Sequence, residues 1–175
     1  TKNIENYGKS FIDSHDIELV QFRCNCHEIL SVQLAEKNKY SFVDIRLTLE
    51  RTTDDTISFI EERTGLYIRK AIESDIEALV EFGRDIYYTS RYYFDNNFDN
   101  AKLDEFYSGW IKKAVLGLFD DFCYVLYEDN TPIGFCSIKL NKGNSASIGV
   151  LGLNPDYTNL GLGRYMLNKV VEALY

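Results

Sequence analysis

Proline is nearly missing from this chain, with only Pro132 and Pro155 among 175 residues. No low-complexity tract accompanies that scarcity, which excludes a proline-rich or disordered composition. Long apolar runs are missing as well. None approaches the roughly 20 residues that span a bilayer, and the first residues lack the basic-then-apolar pattern of a secretion signal. Positive charge is in deficit: 19 Lys and Arg against 27 Asp and Glu leave −8. Such a balance excludes a broad nucleic-acid-binding face but leaves room for one local cationic site. The expectation is a cytoplasmic protein that binds neither membrane nor nucleic acid.

Histidine is scarce too, with His15 and His27 alone. Cys24-Asn25-Cys26-His27 has the donor types of a metal knuckle, but one intervening residue is short and no second Cys/His pair completes four ligands. No metal is expected. Cys24, Cys26, Cys123 and Cys136 lie in or beside apolar runs and read as reduced, buried thiols.

What is present suits an ordinary globular chain. An apolar share of 45% with 26% charged residues, at this length, supports one solid core, or one domain and a fragment of another. In residues 16–23 the spacing of Ile17, Leu19 and Phe22 predicts a strand. Ile29, Val32 and Leu34 predict a short helix. Phe42, Ile45, Leu47 and Leu49 predict a second strand over residues 40–51. Residues 1–51 therefore read as a small α/β unit, too apolar for a free tail and too small for its own core, which should pack on the larger remainder of the chain. Residues 52–65 are polar, apart from a helical patch at 57–60, and read as a linker.

Residues 66–175 carry the larger unit. A strand over 66–72 leads into Ser74 and Glu77, spaced as a capping box. Ile76, Leu79, Val80 and Ile86 then mark a helical face. Residues 87–98 are crowded with aromatics, interleaved with Arg91, Asn and Asp, and read as a loop. Asp99 or Asn100 caps a second helix with an apolar face of Leu103, Phe106, Tyr107, Trp110, Ala114 and Leu118. Its acids come early and Lys112 and Lys113 late, as the dipole favours. Asp120 and Asp121 read as turn residues ahead of a strand, with general-base duty as the sharper alternative. Strands come next over 122–127, 133–140 and up to Pro155, separated by turns at 128–131 and 141–144. Leu162, Met166, Leu167, Val170, Val171 and Leu174 line the final helix. It stops without a glycine cap, so the chain is expected to be cut short of a longer protein.

The chemistry concentrates between the last strand and the last helix. The apolar strand through Leu151 and Leu153 halts at Pro155, and Asn159-Leu160-Gly161-Leu162-Gly163-Arg164 opens the helix. Backbone N–H groups of the loop and first turn lie ahead of the helical ladder. With the helix dipole they make an anion site suited to a pyrophosphate. Gly161 and Gly163 remove side chains that would block close approach. A phosphate-bearing cofactor is implied.

This order of elements, with Leu153-Asn154-Pro155 running into Gly161-Leu162-Gly163, resembles the GNAT superfamily of N-acetyltransferases. Thr158 stands where that family usually has Arg or Gln. The resemblance implies an α/β (α+β) fold with a mixed, mainly antiparallel sheet flanked by helices, and a small N-terminal α/β half-unit. It implies acetyl-CoA as cosubstrate, held by Leu151, Leu153, Asn159, Leu160, Gly161, Leu162, Gly163 and Arg164. The backbone N–H of Leu153 is implied to meet the oxyanion.

Ser90-Arg91-Tyr92, residues 106–115 and Gly117-Leu118-Phe119-Asp120 resemble more closely the TDP-fucosamine acetyltransferases, which acetylate the 4-amino group of a nucleotide-linked sugar. In that likeness residues 39–50 look like the last strand of a vestigial GNAT half. Arg91, Tyr92 and Phe94 become candidate acceptor contacts, against ordinary surface packing. Partners would be a small-molecule amine and, in assembly, a second copy as a homodimer. A protein N-terminus or polyamine as acceptor, or a non-catalytic acyl-CoA-binding module, are the alternatives.

Overall fold

Side chains of alternating sense put this sheet between two apolar layers. The computed structural model describes residues 8, 10–52, 62–95 and 97–174, and its contacts divide the chain into Thr1–Asp44 and Ile45–Tyr175. The first unit holds helix α1, Ile29–Lys37, where the sequence predicts a short helix. The expected strands over 16–23 and 40–51 do not form. Alternation gives a strand only when a neighbour takes its N–H and C=O groups, and neither segment has a ladder partner among the described residues. Leu19, Phe22, Phe42 and Leu47 are accordingly exposed. Cys24 and Cys26 are exposed as well, contrary to expectation, because they sit in this ladder-free stretch. The expected linker lies mostly outside the described residues, including its helical patch.

In the second unit β1 (Leu66–Lys70), β2 (Phe122–Glu128), β3 (Thr131–Asn141) and β4 (Ser145–Leu153) form one antiparallel sheet in that order. The β2–β3 hairpin turns through Asp129 at φ 48 and Asn130 at φ 81. Positive φ at both central positions is what a type I′ two-residue hairpin turn requires, and Asp and Asn tolerate it.

Successive residues of β2 go to opposite faces. Cys123, Val125 and Tyr127 join Phe135 and Val150 beneath two helices, α2 (Ile76–Tyr87) and α4 (Asn100–Val115). Tyr124 and Leu126 join Ile133, Cys136 and Ile138 beneath α5, Leu162–Leu174. Burial pushes the Cys123 and Cys136 thiols up to about 12, which leaves them protonated.

Three local expectations are corrected. The Ser74–Glu77 capping box is replaced by Asp75, whose carboxylate accepts the Ile72 N–H at 2.8 Å and so closes a 3-10 turn ahead of α2. The aromatic stretch is not all loop, for α2 runs through Tyr87 and Arg91–Asp95 forms the short helix α3. On α4, Asp99 caps by accepting the Lys102 N–H. The buried positions there are Leu103, Tyr107, Ser108, Ile111 and Ala114. Phe106 is 45% exposed, and Leu118 lies past the helix end, also exposed. No helix among the described residues is long and apolar enough to cross a membrane.

Candidate functional site

The site begins with a dislocation in β4. Cys136 faces Leu151 and Ile138 faces Ile148, so two steps on β3 match three on β4. The extra residue on β4 is a bulge, which bends a strand and takes one amide off the ladder. That amide is Val150 N–H, and the buried Ser137 hydroxyl accepts it at 2.8 Å. Ser137 in turn donates to Asp120 Oδ2 at 2.5 Å. Gly149 makes room for this carboxylate, since a Cβ there would collide with Asp120 Oδ2. Asp121 does different work, accepting the Leu140 N–H at 2.7 Å where β3 nears its end. Asp120 therefore braces β3 and the bulge in β4, and Asp121 braces the end of β3, rather than both simply preceding β2.

Beyond the bulge the ladder recovers. Asn154 N–H donates back to the Ile133 carbonyl at 2.8 Å. N–H groups alternate in direction along an antiparallel strand, so those of Leu151 and Leu153 point the other way. That side of β4 has no strand among the described residues. The Leu151 carbonyl faces the same way and accepts the Tyr87 hydroxyl at 3.4 Å. Burial pushes this phenol up, so it stays a donor.

The chain then turns through Pro155–Tyr157, with Asn154 Oδ1 accepting the Asp156 N–H at 3.1 Å. Asn159 at φ 62 and Gly161 at φ 73 bring the backbone round into α5. The first helical bond runs from Tyr165 N–H to the Gly161 carbonyl at 3.1 Å. The N–H groups of Leu162, Gly163 and Arg164 precede it and face off the helix end. Leu162 is buried against Met166, so only its backbone is available to a ligand. Leu160 projects outward, exposed. Of the two glycines, Gly161 is the constrained one. A Cβ on Gly163 would make ordinary contact with Leu153 Cδ1 at 3.5 Å.

Arg91, Tyr92 and Phe94 stand together on α3. Arg91 Nη2 donates to the Tyr92 hydroxyl at 3.0 Å, and its guanidinium lies 4.7 Å from the Tyr92 ring centre. Tyr92 sits edge-on to Phe98 and Phe106. Phe94 is exposed. Tyr93 on α3 and Tyr87 both lie parallel to Tyr107, which donates to Ser90 Oγ at 2.6 Å. Since Tyr87 also reaches Leu151, these rings connect α3 to the outer side of β4.

Sequence reasoning missed Arg63. It comes at the end of residues read as linker, and nothing in its neighbours marks it. Arg63 Nη1 donates to the Leu160 carbonyl at 3.0 Å, inside the loop between β4 and α5. Tyr87 and Ser137 were missed too, Tyr87 because it opens an aromatic stretch read as loop although the helix runs through it, and Ser137 because a lone Ser in a strand has no pattern to read. Among the described residues no cluster of His, Cys, Asp or Glu is arranged to hold a metal ion.

The family model of the GNAT acetyltransferases matches residues 79–175, more than half of the chain. The chain belongs to that family, whose members take acetyl from acetyl-CoA. Its antiparallel sheet between helices is the fold of the family. Among solved structures it is similar to the PaiA N-acetyltransferase of Thermoplasma acidophilum in complex with coenzyme A, at 20% identity and a TM-score of 0.48 over 62% of this chain and 71% of that one. It is also similar to the ribosomal-protein-S18-alanine N-acetyltransferase of Escherichia coli, at 16% identity and 0.41 over 62% of this chain and 59% of that one. A GCN5-related N-acetyltransferase of Ralstonia eutropha gives 14% and 0.43 over 62% and 75%. No curated protein matches the sequence.

Proposed function

We propose that this chain binds acetyl-CoA along β4 and the loop into α5, and passes the acetyl group to the 4-amino group of a nucleotide-linked amino sugar. The observation that carries the cofactor reading is the pair of backbone rows, on the outer edge of β4 and at the start of α5, that no strand or helical turn pairs among the described residues, in a family that uses acetyl-CoA. The N–H groups of Leu151 and Leu153 and the Leu153 C=O face off the sheet edge toward an amide-bearing arm, while the Leu151 C=O takes the Tyr87 hydroxyl. Leu162, Gly163 and Arg164 offer N–H groups to its pyrophosphate, reinforced by the helix dipole. The bound cosubstrate supplies an activated acetyl thioester. Leu153 N–H would donate to its carbonyl oxygen, and a preorganised donor of this kind contributes about 3 kcal/mol to such transfers. In this reading Arg91 and Tyr92 present a planar fork and a ring face to the acceptor. Both pools, acetyl-CoA and nucleotide sugar, suit a cytoplasmic setting.

Calorimetric titration with acetyl-CoA is the direct test. Gly161→Val forces a branched side chain into left-handed backbone, where L residues are strained by about 1–2 kcal/mol. The loop's N–H groups should re-aim, and affinity should fall tenfold or more, about 1.4 kcal/mol. Unchanged affinity in a folded variant would remove the loop from the cofactor site.

The acceptor is tested by steady-state transfer to a panel of TDP-amino sugars, polyamines and peptide N-termini. Arg91→Ala should raise KM for a TDP-amino sugar several-fold and leave that for acetyl-CoA in place. A net charge of −8 suits a cationic amine about as well as it tolerates an anionic nucleotide sugar, and turnover of polyamines in preference to sugars would establish that second reading. Binding of acetyl-CoA without turnover of any amine would mark a non-catalytic module.

A further inference from the structure

From Gly143 to Gly163 the chain has no cationic side chain and one carboxylate, Asp156. A loop offered to a pyrophosphate thus carries no positive charge of its own ahead of Arg164. The fold brings one from elsewhere. Arg63 lies in the turn before β1, where its carbonyl accepts the Leu66 N–H at 3.0 Å, and its side chain crosses to the loop. Its guanidinium is held at two points, by the Leu160 carbonyl and by the face of the Tyr165 ring, 5.7 Å from the ring centre. Nη2 lies 3.6 Å from where a Cβ on Gly161 would stand. Among the described residues none of the ion pairs involves Arg63.

We infer that Arg63 is a cofactor-binding residue, its guanidinium forking onto the pyrophosphate of coenzyme A beside Gly161; this rests on the cofactor reading above. A guanidinium has five N–H donors in a rigid fork, and the Leu160 carbonyl takes one. Among the described residues nothing takes the donors on Nη2, which lies on the side of the loop where Gly161 carries no side chain. A charge-assisted, two-pronged contact to phosphate is the use to which arginine is best suited. The opposing explanation is a staple, in which Arg63 only fastens the turn before β1 to the loop.

Titration of the full chain with coenzyme A and with 3′-dephospho-coenzyme A separates these. The two ligands share the pyrophosphate and differ in one remote phosphate. Arg63→Ala should weaken both by the same factor, fivefold or more. Arg63→Gln keeps a donor for the Leu160 carbonyl and loses the charge, so it should weaken both about as much, and it carries the test if the alanine variant does not fold. Wild-type affinity in the glutamine variant would make Arg63 a staple and overturn the inference alone. Loss confined to coenzyme A would move the contact to the 3′-phosphate and overturn it too. A wild-type chain that binds neither ligand would overturn the cofactor reading and this inference with it.

Discussion

Phe135→Ala is expected to lower the unfolding free energy by about 3–5 kcal/mol, the range for emptying a large aromatic site in a core. Phe135 is fully buried on β3, the strand that carries β4, and its ring lies 5.9 Å from that of Phe82 on α2. It pairs across the ladder with Gly152. Its ring edge comes within 3.0 Å of a Cβ position on that glycine, so ring and glycine fit as a knob and a gap. Removing the ring leaves a void that Gly152 has no side chain to fill. The cost should be read from a urea-unfolding midpoint at constant slope. Phe106→Ala, at 45% exposure, should cost well under half as much. Equal costs for the two would mean that the layer beneath α2 and α4 is not the core. Because Phe135 backs the β4 segment that ends at Leu153, acetyl-CoA affinity should weaken in parallel.

That core was legible from residue order. In β2 alternation sorts Cys123, Val125 and Tyr127 from Tyr124 and Leu126. Helical spacing finds the buried Leu79 and Val80 of α2 and the Leu162, Met166 and Val170 of α5. Both signals work because the elements have partners. Where partners are missing the same signal misleads. Residues 16–23 and 40–51 carry apolar residues at strand spacing, yet pair with no strand among the described residues. Alternation reports what a strand would bury if one formed, and pairing is a separate, non-local condition.

The loop into α5 could be read because its chemistry is local, with proline, two glycines and a helix start in one run of the sequence. Arg63 and the Asp120–Ser137–Val150 chain could not. Each joins residues far apart along the chain, 97 positions between Arg63 and Leu160 and 17 between Asp120 and Ser137. Ser137 in particular has meaning only beside the bulge, which exists because β3 and β4 are out of step by one residue. A register shift leaves no mark in composition or periodicity.

Asp75 and its partner Arg69 each make four hydrogen bonds, and loss of the more buried Asp75 should be a costly polar change. The carboxylate takes two bonds from the Arg69 guanidinium at 2.8 Å each, a third from the Ile72 N–H, and a fourth from the Tyr127 hydroxyl. It thereby ties β1 and β2 to the start of α2. Its side chain is 7% exposed and that of Arg69 is 37% exposed. Breaking a buried pair from one side costs about 3–5 kcal/mol. With Arg69 partly in water, Asp75→Asn should cost about 2–3 kcal/mol at neutral pH.

Burial alone pushes the Asp75 carboxyl up, but the bonds from Arg69, Tyr127 and Ile72 outweigh it and hold the group below its ordinary 3.8. A group whose folded value is depressed contributes fully above its unfolded value and loses that contribution as the pH falls through the folded one. Wild-type stability should therefore drop steeply as the pH falls below 3.8, while Asp75→Asn has no such proton to take up at this site. The difference between the two proteins, largest near pH 7, should shrink across that acid limb. A gap that stays constant from neutral to acid pH would mean that the ionised carboxylate contributes nothing, and that the substituted amide merely packs badly.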